Sequence, residues 1–108
     1  MSVYSVILDA CVLYPAPLRD LLLRLTLTDI YKAHWTDDIH EEWMRALLRN
    51  GRFKRVDLER TKELMDSHVW DAKVSGYESL IETIKLPDPD DRHVLAAAIR
   101  CNADAIPV

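Results

Sequence analysis

The stretch Ser5-Val6-Ile7-Leu8-Asp9-Ala10-Cys11 decides the fold of this chain. Its continuous apolar run has the length of a strand and stops at a lone carboxylate, which predicts a strand buried on both faces with Asp9 at its carboxyl end. Sheets of α/β proteins place their sites at that end. Burying a carboxylate is costly unless a cation or hydrogen-bond donors meet it, so Asp9 is a candidate site residue. The alternative is that Asp9 only caps the following turn.

The rest of the chain alternates helical and strand patterns, which predicts an α/β fold. In the first helix, over 18–27, the spacing predicts that Leu18, Leu21, Leu22 and Leu25 pack on the sheet. Further helices are predicted over 37–49, from an Asp57 cap to about His68, over 78–84 and from Asp88 onward, and further short strands over 31–35, 72–74 and from Ala103 to the last residue.

A second acid lies on the helix predicted over 37–49, which begins at the N-cap residue types of Thr36-Asp37-Asp38. With about 100° between successive residues, Glu41 points to solvent, whereas Glu42 lies roughly 90° from the centre of the apolar stripe. Glu42 can therefore reach a cleft where the helix meets the sheet. The alternative is that Glu42 is an ordinary flanking residue of an amphipathic helix.

A third acid comes from Asp88-Pro89-Asp90-Asp91. Asp88 as N-cap, Pro89 at the first helical position and an acid three residues after the cap form a strong helix-start signal, which explains Asp88 and Asp90 structurally. Asp91 lies in line with Leu95 on the inward face of that helix, so it is predicted to face the sheet. A carboxylate at the head of an inward stripe requires a partner.

Asp9, Glu42 and Asp91 together form a set of hard oxygen ligands suited to Mg²⁺ or Mn²⁺, provided that they share one pocket. A dication held by acids can activate water and stabilise charge on a phosphodiester. Zinc is disfavoured because no pair of histidines has ligand spacing. Each histidine is instead predicted to lie on the surface or at a polar edge: His34, His40, His68 and His93.

Concentrated positive charge is found in one segment, which is the best candidate for contacts with a nucleic-acid backbone. Its members are Arg45, Arg49, Arg52, Lys54 and Arg55. The alternative is an ordinary solvated face. The net charge of −4 argues against a globally basic nucleic-acid coat.

The length of 108 residues and the absence of linkers or repeats predict a single domain. No apolar run has membrane-spanning length and no signal-peptide pattern begins the chain, so a cytoplasmic protein without membrane contact is the expectation. Cys11 and Cys101 have neither metal-ligand nor redox spacing and are predicted to be free thiols.

The order and spacing of three motifs resemble the PIN domain over nearly the whole chain. They are Val6-Ile7-Leu8-Asp9, then Thr36-Asp37-Asp38-Ile39-His40-Glu41-Glu42-Trp43, then Asp88-Pro89-Asp90-Asp91 before an alanine-rich helix and Ala103-Asp104-Ala105-Ile106. The resemblance implies a three-layer α/β/α sandwich with a central parallel sheet and Mg²⁺- or Mn²⁺-dependent endoribonuclease activity. The family includes the toxins of VapBC-type toxin–antitoxin modules, which implies a homodimer and an antitoxin partner.

By position, the resemblance assigns Asp9, Glu42 and Asp91 as catalytic metal ligands, with Asp90 as a substitute or outer neighbour and Thr36 as a substrate-binding residue. The family usually continues beyond its fourth strand into a further polar segment, whereas this sequence stops at Val108. We therefore expect a truncated member whose C-terminal strand or strands are missing. The alternatives are a catalytically impaired PIN-like module that acts in binding or dimerisation, and a Mg²⁺-dependent phosphatase.

Overall fold

Two short parallel strands form the centre of the fold in this computed structural model, which describes residues 4–107. β1 (Ser5–Ile7) pairs with β2 (Lys32–His34) in parallel register. A single parallel bridge extends the sheet on each side, from Val6 to Ala105 and from Trp35 to Lys73. The strands predicted near residues 5 and 31–35 are confirmed. Those predicted at 72–74 and from Ala103 onward are each reduced to one bridge, and residue 108 lies outside the described residues.

Six α-helices and one 3₁₀ turn surround this sheet within residues 4–107. The α-helices are α1 (Ala10–Leu13), α2 (Ala16–Leu27), α3 (Asp37–Leu48), α4 (Arg55–His68), α5 (Glu78–Ile81) and α6 (Arg92–Cys101), and the 3₁₀ turn (Pro89–Asp91) precedes α6. Contacts link α1 to α2 and α3, α3 to α4, and α5 to α6. The group formed by α1 to α4 contacts the sheet through α2, which packs against β2. The pair α5 and α6 contacts it through α6, which packs against β1. The predicted α/β/α arrangement with a central parallel sheet is confirmed.

The predicted inward stripe of α2 is confirmed only at Leu22, which packs against the core while partly buried. Leu18 and Leu21 are exposed and Leu22 and Leu25 only partly buried, whereas the buried residues of this helix are Arg19 and Thr26. The prediction was based on apolar side chains alone. These two polar side chains are buried because each forms hydrogen bonds with other parts of the fold.

The partners of Arg19 and Thr26 are specific. The guanidinium of Arg19 donates to the carbonyl of Leu13 over 2.8 Å and lies 5.0 Å from the centre of the Trp43 ring. The Thr26 hydroxyl donates to the Tyr31 carbonyl and accepts from the Ala33 amide, both at 3.2 Å. Buried polar groups that are paired in this way cost little, so α2 can turn them inward.

The core is centred on two tryptophans that exclude solvent completely, Trp35 and Trp43. Their indole N–H groups are both paired: Trp35 donates to Asp66 over 2.7 Å, and Trp43 donates to His40 Nδ1 over 3.0 Å. His40 Nε2 lies 2.9 Å from the same Asp66 carboxylate. Because Nδ1 accepts a hydrogen bond, the proton of the neutral His40 ring must lie on Nε2 and point at Asp66.

Helix boundaries follow their capping residues. Thr36 begins α3 as predicted, and its hydroxyl accepts from the amide of Ile39 over 3.0 Å. The predicted Asp57 cap of α4 is wrong, because α4 begins at Arg55 with Lys54 in the cap position. Asn102 ends α6 in the left-handed region, with φ of 55°, and turns the chain back toward the edge of the sheet.

Cys11 and Cys101 are free thiols, as predicted. Over residues 4–107, no helix combines the length and the apolar character needed to cross a membrane.

Candidate active site

Asp9 lies at the carboxyl end of β1, where the sequence predicts it. Its Oδ1 accepts a hydrogen bond of 2.6 Å from the Ala10 amide and so caps the four-residue helix α1. Its Oδ2 lies 4.0 Å from the sulfur of Cys11. The carboxylate is half-buried and lines a pocket. Asp9 is therefore both a helix cap and a pocket residue, and the two interpretations from the sequence do not exclude each other.

The pocket beside Asp9 has a volume of about 410 Å³ and collects charged side chains from three parts of the fold: the end of β1, α3 with its C-cap, and the 3₁₀ turn. Four acids line it, together with two arginines: Asp9, Glu42, Asp90, Asp91, Arg45 and Arg49. The sequence-predicted acids therefore share one pocket at the carboxyl end of β1. This arrangement concentrates negative charge beside two cations, which is the electrostatic pattern of a site that binds a dication and a phosphate.

Asp91 reaches the pocket in a different way from the one predicted. It lies in the 3₁₀ turn, and its side chain is exposed rather than directed into the core. The alignment with Leu95 assumed α-helical spacing, whereas a 3₁₀ turn has three residues per turn and shifts the direction of every side chain. Asp88 caps this turn as predicted and accepts from the Asp90 amide over 2.9 Å.

The carboxyl group of Glu42 has a raised pKa. Partial burial raises the pKa of its carboxyl group, and the negative charges of Asp9 and Asp90 raise it further, while His93 acts in the opposite direction. Its buried Oε1 forms an ion pair with Nε2 of His93, although this atom lacks a hydrogen bond of regular geometry. The neighbouring acids thus disfavour the ionised form of Glu42, and a further cation beside it would stabilise that form.

The sequence interpretation missed His93, which contacts Glu42 and lines a neighbouring pocket together with Glu42, Arg45 and Asp90. Its side chain is only 15% exposed, and its Nδ1 is buried without a hydrogen-bond partner in the part of the chain that the structure describes. The available signal was its position three residues after Asp90, which brings the two side chains to neighbouring positions. His40 is likewise fully buried, so its predicted surface position is wrong.

Whether the pocket can bind a metal ion depends on the type of its donor atoms and on the distances between them. Carboxylates around a negatively charged pocket, with the buried oxygen of Glu42 among them, have the chemistry that Mg²⁺ and Mn²⁺ require. Within residues 4–107, however, no three His, Cys, Asp or Glu side chains lie close enough together to hold one ion. The donors fit a dication by type, and a shared ion requires their carboxylates to rotate toward a common point.

The predicted basic segment is divided by the fold. Arg45 and Arg49 line the acidic pocket, and Arg52 lines a neighbouring one. Arg55 points elsewhere, because its guanidinium binds both oxygens of Glu41, at 3.0 and 2.8 Å, and one oxygen of Glu59. Lys54 is exposed in the cap position of α4.

Thr36 is fully buried, and its hydroxyl is used to cap α3. A side chain without exposed surface cannot contact a substrate in this conformation. Its structural contribution is to fix the start of the helix that carries Glu42.

Cys11 provides a chemical probe of the pocket. Partial burial of the sulfur and then the negative charge of Asp9 raise the pKa of the Cys11 thiol. A raised pKa leaves less thiolate at neutral pH, so iodoacetamide should alkylate Cys11 more slowly than an unstructured cysteine peptide and accelerate as the pH rises above 9. The rate can be followed by mass spectrometry in the Cys101→Ser variant. A neutral-pH rate above that of the peptide would contradict the described environment.

A family model described as PIN domain matches residues 5–106 of the chain. A search of curated proteins found no match. The matched range includes both strands, all six described α-helices and the four acids of the pocket.

Proposed function

The chain belongs to the PIN domain family, and from this membership we propose that it is a Mg²⁺- or Mn²⁺-dependent endoribonuclease. The family match supports nuclease activity in general, on RNA or DNA, with divalent metal ions. The observation that carries the proposal is the pocket at the carboxyl end of β1, where Asp9, Glu42, Asp90 and Asp91 meet.

In the proposed site, Asp9, Glu42 and Asp91 hold the metal, with Asp90 as a fourth ligand or an outer neighbour. When bound, the dication supplies a water of lowered pKa and neutralises charge on the phosphodiester. The support is electrostatic: partial burial and then the negative charges of Asp9 and Asp90 raise the pKa of Glu42, and His93 acts in the opposite direction. Additional positive charge at this point stabilises the ionised carboxylates.

The chain's own cations bind the substrate. Arg45 and Arg49 line the same pocket as the acids and have planar guanidinium groups, which suit the phosphates that flank the scissile bond. His93 keeps the Glu42 carboxylate at the pocket wall through their ion pair, so that it stays available on the pocket side of α3. Arg52 and Lys54 extend the positive charge beyond the pocket.

The direct test is cleavage of a fluorescently labelled single-stranded RNA, resolved on a denaturing gel. We expect cleavage with Mn²⁺ or Mg²⁺, complete loss in excess EDTA and recovery when Mn²⁺ is added back, because the acids alone cannot stabilise a phosphorane charge. A matched single-stranded DNA distinguishes the proposed ribonuclease from a deoxyribonuclease. Cleavage that continues unchanged in EDTA would contradict the metal-dependent mechanism.

A second candidate function is a catalytically impaired PIN-like module that acts in binding or dimerisation. The observation that favours it is that, over residues 4–107, the acids line one pocket without three of them lying close enough for a common ion. Titration calorimetry with Mn²⁺ separates the candidates. Saturable binding together with RNA cleavage supports the nuclease, whereas the impaired module gives neither. The family match gives no support to the phosphatase alternative.

We also propose that the nuclease is the toxin of a toxin–antitoxin module, active as a homodimer and inhibited by an antitoxin. This proposal rests on the resemblance to VapBC-type toxins, and the exposed apolar side chains Leu21, Leu27 and Ile30 supply surface for a protein partner. The test is growth arrest on induced expression, relieved by the Asp9→Asn variant, together with molar mass from light scattering.

A further inference from the structure

A second pocket adjoins the acidic one, and of its lining residues the mechanism proposed above uses Arg52 alone. It has a volume of about 350 Å³, within the range of small-ligand sites, about 300–1,000 Å³. Tyr14, in the turn between α1 and α2, lines both pockets. The two pockets are therefore neighbours that meet at Tyr14.

The second pocket combines an apolar floor with an exposed aromatic side chain. Leu47 and Leu58 are 6% and 4% exposed and form the floor, whereas Phe53 is 44% exposed at the wall. A half-exposed phenyl ring beside an apolar floor is a surface on which a flat, weakly polar ring can stack. Stacking of this kind binds bases of single-stranded nucleic acids with little dependence on sequence.

The rim of the second pocket carries the groups that read and orient a base. Asn50 supplies an amide, which both donates and accepts hydrogen bonds, and Arg52 supplies a guanidinium, which stacks on base faces and binds phosphate. The Asn50 amide nitrogen donates to the Tyr14 hydroxyl over 2.8 Å and so joins the rim to the junction between the pockets. Gly51, with φ of +70°, turns the backbone between these two rim residues.

We propose that this second pocket binds one unpaired base of a single-stranded RNA whose adjacent phosphodiester lies in the acidic pocket. The base stacks on Phe53 above the apolar floor, while Arg52 and Asn50 contact its edge and its phosphate. Arg49, in the acidic pocket, lies directly before this rim along the chain and continues the positive charge toward the scissile phosphate. The identity of the bound strand as RNA rests on the proposed function.

The test measures RNA binding without metal, so that cleavage does not interfere. The full chain in EDTA is titrated into a fluorescein-labelled single-stranded RNA, and anisotropy gives the Kd. We expect Phe53→Leu to weaken binding by about tenfold, because stacking on one aromatic side chain contributes about 1–3 kcal/mol per base. Phe53→Tyr should restore binding. The matched control is Trp70→Leu, since Trp70 is 83% exposed but lines neither pocket.

A second arm shows that Phe53 acts on a base. The RNA is replaced by a series with a single abasic residue at successive positions, and each is titrated against the wild-type chain and Phe53→Leu. At one position we expect the abasic residue to raise the Kd for the wild-type chain by the same factor as Phe53→Leu raises it for the intact RNA. Combining the two changes should raise the Kd no further. Unchanged binding by Phe53→Leu, or fully additive losses at every position, would overturn the proposal.

The two proposals can fail separately. Metal-dependent cleavage with no effect of Phe53→Leu on binding would refute the base pocket and leave the nuclease standing. Phe53-dependent binding without cleavage would refute the nuclease and keep the base pocket. If the wild-type chain does not bind the RNA in EDTA, the base pocket is refuted, and the cleavage assay with Mn²⁺ decides the nuclease independently.

Discussion

Replacing Asp9 with asparagine is expected to lower the rate of RNA cleavage by at least about 100-fold while the chain stays folded. Residues that support a metal site typically change affinity or activity by about 10–100-fold when mutated, and a direct ligand should lie at or above that upper limit. Asparagine retains the oxygen that accepts from the Ala10 amide over 2.6 Å and is itself a good N-cap. The substitution therefore removes the charge of Asp9 while keeping its capping role.

The measurement is the initial cleavage rate at saturating Mn²⁺, with thermal melting as the check on folding. The matched control is Asp71→Asn, which removes the same charge from an exposed carboxylate paired with Lys32 at 3.8 Å, away from the pocket. Asp71→Asn should cleave like the unmodified chain. Full activity in Asp9→Asn, or an equal loss in both variants, would contradict the role assigned to Asp9.

Replacing Trp43 with alanine is expected to have the largest effect on stability. Trp43 is completely buried, its indole donates to His40 Nδ1, and Arg19 lies over its ring. Truncating a buried tryptophan costs about 3–5 kcal/mol, and the loss leaves the buried His40 nitrogen without its donor. Because domains of this size are stable by only about 5–15 kcal/mol, the variant should be close to unfolding.

Urea denaturation followed by circular dichroism measures this difference. The control is Trp70→Ala, the same chemical change at a side chain that is 83% exposed, which should alter the free energy of unfolding by no more than about 0.5 kcal/mol. Trp43→Phe separates the contributions, since it keeps most of the ring volume and removes only the indole N–H. Equal midpoints for Trp43→Ala and Trp70→Ala would refute the described core.

The central strands, the start of α3 and the start of the 3₁₀ turn could be predicted from sequence because each depends on local signals. An apolar run ending in Asp9 predicts a buried strand, and Thr36 and Asp88 are side chains that cap the segment directly after them. Glu42 and Asp9 line the same pocket. This could be predicted because helix geometry places Glu42 at the edge of the apolar face and because Asp9 lies at the carboxyl end of a strand. These inferences need no knowledge of distant partners.

The features that sequence reasoning missed depend on pairs from separate elements. Arg19 is buried because it reaches Leu13 and Trp43, and His40 is buried because it joins Trp43 to Asp66. Hydrophobic periodicity treats such residues as solvent-facing, since it records neither a hydrogen bond nor a cation–π contact. The partner of His93 on α3 could be identified only once α3 and α6 had been placed in three dimensions.

The pairing of Ser5 with Asp104 joins positions 99 residues apart, through the Ser5 amide and the Asp104 carboxylate as well as through the backbone. During synthesis, β1 leaves the ribosome long before its neighbour exists, and contacts of such long range form late in folding. Within the matched range 5–106, Asp9 emerges early and Asp91 late, so a chain still being synthesised through this domain carries an incomplete set of acids. If the chain cleaves RNA as proposed, the order of translation itself delays that activity until the domain is almost fully made.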